Sequence, residues 1–167
     1  MTEPAMARRS KTVATWAAVV GGGIGLHRFY LRGLRDVLGW LHLPPTLIGL
    51  AGVVRMRNLG QDDRIAWLLV PALGLSLSAG FLAAIVIGLT PDARWAQRFG
   101  RRQGQALAEP EALAADERTG WAPVLGVILA LLVGGTVLMG TIAFSGQKYF
   151  EWARAQDEAA AARAPGR

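Results

Sequence analysis

Apolar residues in this chain gather into four long runs separated by short polar stretches. The first, Thr12 to Leu26, continues into His27-Arg28-Phe29-Tyr30-Leu31. The second, Val37 to Val54, is interrupted by Pro44-Pro45. The third and fourth, Ile65 to Pro91 and Gly120 to Gln147, carry no Asp, Glu, Lys, Arg or His over 27 and 28 residues. Both exceed the roughly 20 residues that cross a bilayer. Backbone groups in lipid must be satisfied internally, so each run is expected to be α-helical. The pattern predicts an all-α integral membrane bundle of four spans arranged as two hairpins. A Pro-Pro pair removes two backbone donors and clashes with the preceding turn. The second span is therefore expected as a short helix over 36–43, a break at Pro44-Pro45, and a second segment over 46–57.

The polar segments divide the chain into residues 1–64, a second hairpin over 65–147, and a polar helical tail over 148–167. Between the third and fourth runs lies a loop, 92–119. Its first part places Trp95 and Phe99 one turn apart, with Arg94, Arg98, Arg101 and Arg102 around the rest of the circumference. That pattern predicts a short helix lying in the membrane interface and touching anionic head groups. The remainder, Gln103 to Arg118, reads as a polar connection. The start of the chain is basic, with Arg8, Arg9 and Lys11. The apolar run that follows leads into His-Arg-Phe-Tyr and not a small-residue cleavage site, so it is expected to be retained.

Composition sharpens this picture. The 167 residues are 52% hydrophobic and 18% charged, with a mean hydropathy of +0.30; soluble domains are about a quarter charged. There is no cysteine, which removes disulfides, thiolate metal sites and a Cys nucleophile. The net charge of +6 sits in short loops beside apolar runs, where it reads as topology signal and lipid contact, not a nucleic-acid footprint. Trp16, Trp40, Trp67 and Trp121 lie near the starts of their runs, while Trp95 and Trp152 lie just beyond the ends of the third and fourth. With Tyr30 and Tyr149 they form an expected aromatic belt.

Small residues recur every four positions: Ala17, Gly21 and Gly25; Ala72, Ser76, Gly80, Ala84 and Gly88; Ala122, Gly126, Ala130 and Gly134. A step of four keeps them on one helix face, where backbones approach closely. These ridges predict tight packing within a bundle, or a homo-oligomer or contact with another membrane protein. The two long spans hold no ionisable residue, so the usual mark of an ion pathway is missing. His42 is the one candidate within the second run, and it reads first as a hydrogen-bonded residue beside the break. Two histidines without cysteine specify no metal site, and no catalytic or cofactor motif is present. The run Gly21–Gly25 lacks the strand and the Lys-Ser/Thr of a phosphate loop.

From Lys11 to about Gln61 the chain resembles the TM2 domain family of membrane proteins. The resemblance rests on Lys11, the Gly21–Gly25 cluster and Gly25-Leu26-His27-Arg28-Phe29-Tyr30-Leu31, with Ile48 to Met56 matching the close of the second helix. It implies a two-helix hairpin in a membrane, with His27, Arg28, Phe29 and Tyr30 as the turn that anchors at the interface. Arg32 stands where the family has Gly, and Gly52 where an acidic residue is common. Arg28 must therefore find another partner, Asp36 or a head-group phosphate. The resulting expectation is a non-enzymatic scaffold or accessory subunit of a bacterial inner membrane, without cofactor or metal. The alternative is a small transporter or channel component with a pathway near His42 and Pro44-Pro45. Four spans put both termini on one side. The Arg94–Arg102 cluster and the motif turn favour the cytoplasm for themselves and the outside for the termini, while the basic N-terminus argues the reverse.

Overall fold

The structure, a computed structural model, describes residues 9–99 and 120–163. It is all-α, and the described residues contain no strand. The helices are α1 (Lys11–Gly21), α2 (Leu26–Arg32), α3 (Val37–Trp40), α4 (Leu43–Leu59), α5 (Arg64–Leu89), α6 (Asp92–Phe99) and α7 (Trp121–Arg163), with a 3₁₀ turn over Gly22–Ile24 after α1. Three helical stretches are long and apolar enough to cross a membrane: Val37–Leu59, Arg64–Leu89 and Trp121–Arg163. Four were expected.

The missing span is the first run. The Ser10 side chain caps α1 by accepting from the Val13 N–H, and the helix then stops after 11 residues, about 16 Å at 1.5 Å per residue. Five consecutive positions, Gly21 to Ile24 and Gly25, include four glycines, each a poor helix former. Gly25 takes a left-handed conformation at φ 76°, and a Cβ there would stand 3.1 Å from the Gly39 carbonyl carbon. The chain reverses at this point. α2 returns along α1 until the Ser10 N–H donates to the Tyr30 hydroxyl at 2.9 Å. Tyr30 and Leu31 pack against the cluster holding Ala14 and Ala18. The first run is therefore a short helix–turn–helix hairpin, and its two ends lie at the same end of the bundle.

α5 is the hub. α1, α4 and α7 all lie antiparallel to it, as successive contacts show: Thr15 with Gly88 and Gly22 with Gly80, Gly49 with Leu73 and Gly52 with Leu69, Gly88 with Pro123 and Gly134 with Phe81. Gly80 and Gly22 meet backbone to backbone half-way along α5. At the same depth the 3₁₀ turn leaves the Gly23 carbonyl outside any α-helical ladder, and two hydroxyls satisfy it. Thr46 Oγ1 donates to it at 2.5 Å and Ser76 Oγ at 3.0 Å. Both side chains are buried. A lipid-embedded bundle tolerates irregular backbone only where protein groups satisfy it in this way.

The expected break at Pro44-Pro45 falls slightly earlier, at Leu41-His42 between α3 and α4. The prolines occupy the first turn of α4, where a missing N–H costs little, and their rings disrupt the turn that precedes them. α5 ends at Thr90-Pro91, and α6 follows directly. An ion pair of 2.9 Å from Lys11 Nζ to Asp92 ties α6 to the start of α1.

Candidate functional site

At the end of the bundle that holds the C-terminus of α5, an open groove of about 1170 Å³ runs between α2, α5 and α6. Its polar side is lined by His27, Arg28, Arg32, His42, Arg94 and Arg98. Its apolar wall comes from α5, where Leu82, Val86 and Leu89 are all more than half exposed. The expected motif turn and the expected interfacial helix thus form the two banks of one feature.

The turn itself is built by short contacts. Arg28 Nε pairs with Asp36 Oδ2 at 2.8 Å. The guanidinium holds the Asp36 carboxyl below its ordinary range, chiefly through that hydrogen bond. Asp36 Oδ1 also accepts from the Leu38 N–H and so starts α3. Phe29 and Trp40 stack edge to face at 5.3 Å over Gly39, and the Trp40 indole donates to the Leu34 carbonyl at 2.8 Å. Tyr30 receives the Ser10 N–H and lies under Arg9 at 5.3 Å. His27 is 4% exposed, and its Nδ1 is the one buried side-chain polar atom among the described residues without a hydrogen-bond partner. The His42 ring meets it edge on at 5.7 Å, with its own Nδ1 2.8 Å from the Leu38 carbonyl.

α6 corrects one expectation. Arg94 and Arg98 are exposed, as an interfacial helix requires, but Trp95 does not face lipid. It is 4% exposed within the core cluster of Ala14, Ala18 and Ala84. Its indole donates to the Arg9 carbonyl at 2.9 Å, and Phe99 packs on it at 4.5 Å. The apolar face of α6 is covered by protein because the Lys11–Asp92 pair draws that face onto α1. Arg101 and Arg102 lie outside the described residues. Of the expected packing residues, Gly21 lies under Leu26, and Gly25 meets Gly39 in place of another span. Gly80, Ala84, Gly126, Ala130 and Gly134 are all buried inside the single chain. Those ridges are occupied within the chain.

A repeat is present that the reading of the apolar runs passed over. Gly22, Gly25, Arg28, Gly33, Asp36, Trp40 and Pro44 recur 27 residues later as Gly49, Gly52, Arg55, Gly60, Asp63, Trp67 and Pro71. Comparing the sequence with itself at fixed offsets finds it. The second copy folds like the first. Arg55 pairs with Asp63, and that pairing holds the Asp63 carboxyl below its ordinary range. Asp63 Oδ1 accepts from the Ile65 N–H at 3.3 Å, and the Trp67 indole donates to the Gln61 carbonyl at 2.6 Å. Gly33 and Gly60 both have positive φ, 80° and 91°, and both donate to the fourth residue before them. One turn lies at each end of the bundle.

What the two turns share is therefore the frame that joins one helix to the next. Their differences carry information about chemistry. His27 and His42 correspond to Val54 and Leu69, and Arg32 to Leu59. Both histidines of the chain stand in the turn that borders the groove, and neither has a counterpart in the other. No family model, curated protein or solved structure matches the chain.

Proposed function

We propose that this chain is a non-enzymatic integral membrane protein, a scaffold or accessory subunit that crosses the membrane three times. The observation that carries the reading is α7. At 43 residues it is about 65 Å long, twice the roughly 30 Å of a bilayer core. Its first half packs on α5 and α1. Beyond Lys148, which lies over Trp67 at 4.4 Å, all but one of the residues to Arg163 are exposed. A helical arm with almost no contact to its own chain is suited to holding a second protein, and its polar surface suits a position outside the lipid. The motif turn His27–Tyr30 keeps its resemblance to TM2 domains, and a bacterial inner membrane is the location that resemblance favours.

Three crossings with a re-entrant start place the N-terminus on the side of the groove and the C-terminal arm on the other. On that topology 11 of the 18 Lys and Arg residues fall on the groove side. The groove side is then cytoplasmic under the positive-inside rule. The basic N-terminus, which conflicted with a four-span layout, now agrees with the loops.

The experiment is purification from native membranes in mild detergent, with the full chain compared with one ending at Lys148. A stoichiometric partner that is lost on truncation, while the thermal unfolding midpoint is kept, supports the reading. A monodisperse full chain with no partner in any mild detergent contradicts it. A second reading, a small transporter, draws support from the groove reaching His27 and His42 beside the discontinuous α3–α4 backbone. Proteoliposome flux abolished by His42→Ala would favour it.

A further inference from the structure

We propose that the groove between α2, α5 and α6 binds the phosphate of an anionic membrane lipid, with His27 as its innermost polar contact. Three observations converge on this. The first is the orphaned Nδ1 of His27, which is 96% buried in a ring that lines the groove and has no hydrogen-bond partner among the described residues. A buried polar group without a partner costs about 1–3 kcal/mol; Nδ1 itself is closed off from the groove, and a turn of the ring that presents its N–H to a phosphate oxygen there removes that cost.

The second observation is charge. Arg28 is occupied by Asp36, which Arg32 also feels at longer range, but no ion pair with a carboxylate among the described residues holds Arg32, Arg94 or Arg98, which reach the groove from opposite banks. Planar guanidinium groups bind phosphate oxygens in bidentate fashion. The third observation is the wall. Leu82, Val86 and Leu89 line the same groove and are exposed along one side of α5. A small soluble anion has no use for that surface, whereas an acyl chain covers it. The repeat supplies an internal contrast. The opposite turn keeps the same Arg, Gly, Asp and Trp but has Val54, Leu59 and Leu69 where this one has His27, Arg32 and His42. Turn formation therefore does not require these three polar side chains; His42 is engaged with the Leu38 carbonyl, and the ligand accounts for His27 and Arg32.

The test is lipid binding by the full chain in mild detergent, read by native mass spectrometry during titration with phosphatidic acid, phosphatidylcholine or inorganic phosphate. Phosphatidic acid is expected to bind with a choline-headed lipid weaker by about tenfold, the loss of one charge-assisted contact. Arg32→Gln with Arg94→Gln and Arg98→Gln is expected to weaken phosphatidic acid by about a hundredfold. His27→Val, which copies the opposite turn, is expected to weaken it by about tenfold. Arg57→Gln at the other end is expected to leave it unchanged. If His27→Val does not fold, His27→Met, which also lacks the donor, serves in its place. Equal binding by the triple variant and the parent overturns the proposal, and so does equal affinity for both lipids. Displacement of the lipid by millimolar inorganic phosphate also overturns it, since the site would then be one for a free anion.

Discussion

Replacing Gly80 with alanine adds one methyl group at the point where α1 and α5 touch backbone to backbone. A Cβ on Gly80 would stand 2.6 Å from the Gly22 Cα and 2.9 Å from the Gly23 nitrogen. Neither neighbour is a flexible side chain, so the helices must separate. Overpacking of this kind costs about 1–3 kcal/mol, against which alanine recovers at most about 1 kcal/mol of helix propensity. With that propensity fully recovered, the net expectation is a loss of up to about 2 kcal/mol, a factor of up to roughly 30 in the folded to unfolded ratio. Gly140, inside α7, supplies the control, because a Cβ there meets nothing within 4 Å. Gly140→Ala is expected to be neutral or stabilising. Reversible unfolding of both variants in mixed micelles, followed by circular dichroism, measures the difference in sign. Equal effects would refute the argument that α1 enters the bundle and packs on the middle of α5.

Two further outcomes follow from the same geometry. Thr46→Val and Ser76→Ala each remove a hydroxyl from the Gly23 carbonyl, at an expected cost of about 1–2 kcal/mol. The two share one acceptor and touch each other at 2.7 Å, so the double variant is expected to cost less or more than the sum and not match it; additivity in the same unfolding assay would show them to be independent. The carboxyls of Asp36 and Asp63 are held below the ordinary value of 3.8 by Arg28 and Arg55. A depressed folded-state value makes these pairs fully stabilising above the ordinary range, with the contribution lost as pH falls through the depressed one. Unfolding measured from pH 6 downward is expected to lose part of its acid sensitivity in Asp36→Asn, and an unchanged profile would count against the pair.

The uncharged stretches 65–91 and 120–147 made α5 and α7 legible, because an apolar run long enough to cross a bilayer satisfies its backbone groups in lipid as a helix. Asp36, which pairs with Arg28, is one of the two partners anticipated for Arg28. The fate of Gly21–Gly25 could not be anticipated. Glycines inside an apolar run serve equally as a close-packing face or as a left-handed reversal, and only the return of Tyr30 to Ser10 separates the two. For α6, the spacing of Trp95 and Phe99 identified an apolar face without showing what covers it. The Lys11–Asp92 pair, 81 residues apart in sequence, brings the start of α1 there. The 27-residue repeat was present in the letters throughout. It escaped a reading by apolar runs because its shared residues are the turn formers between them. His27 could be noticed from the motif, but its burial without a partner is a property of the fold alone.

On the proposed topology the first run turns back within the membrane, three helices cross it, and the start of α1 and the end of α7 lie on opposite faces. The chain has no cysteine, so single cysteines can be introduced without background. Thr2→Cys, Gly120→Cys and Glu158→Cys, each in sealed vesicles of one orientation, can be treated with a membrane-impermeant maleimide. Positions 2 and 120 are expected to label from one side and position 158 from the other. Labelling of positions 2 and 158 from the same side would restore four spans and contradict that topology.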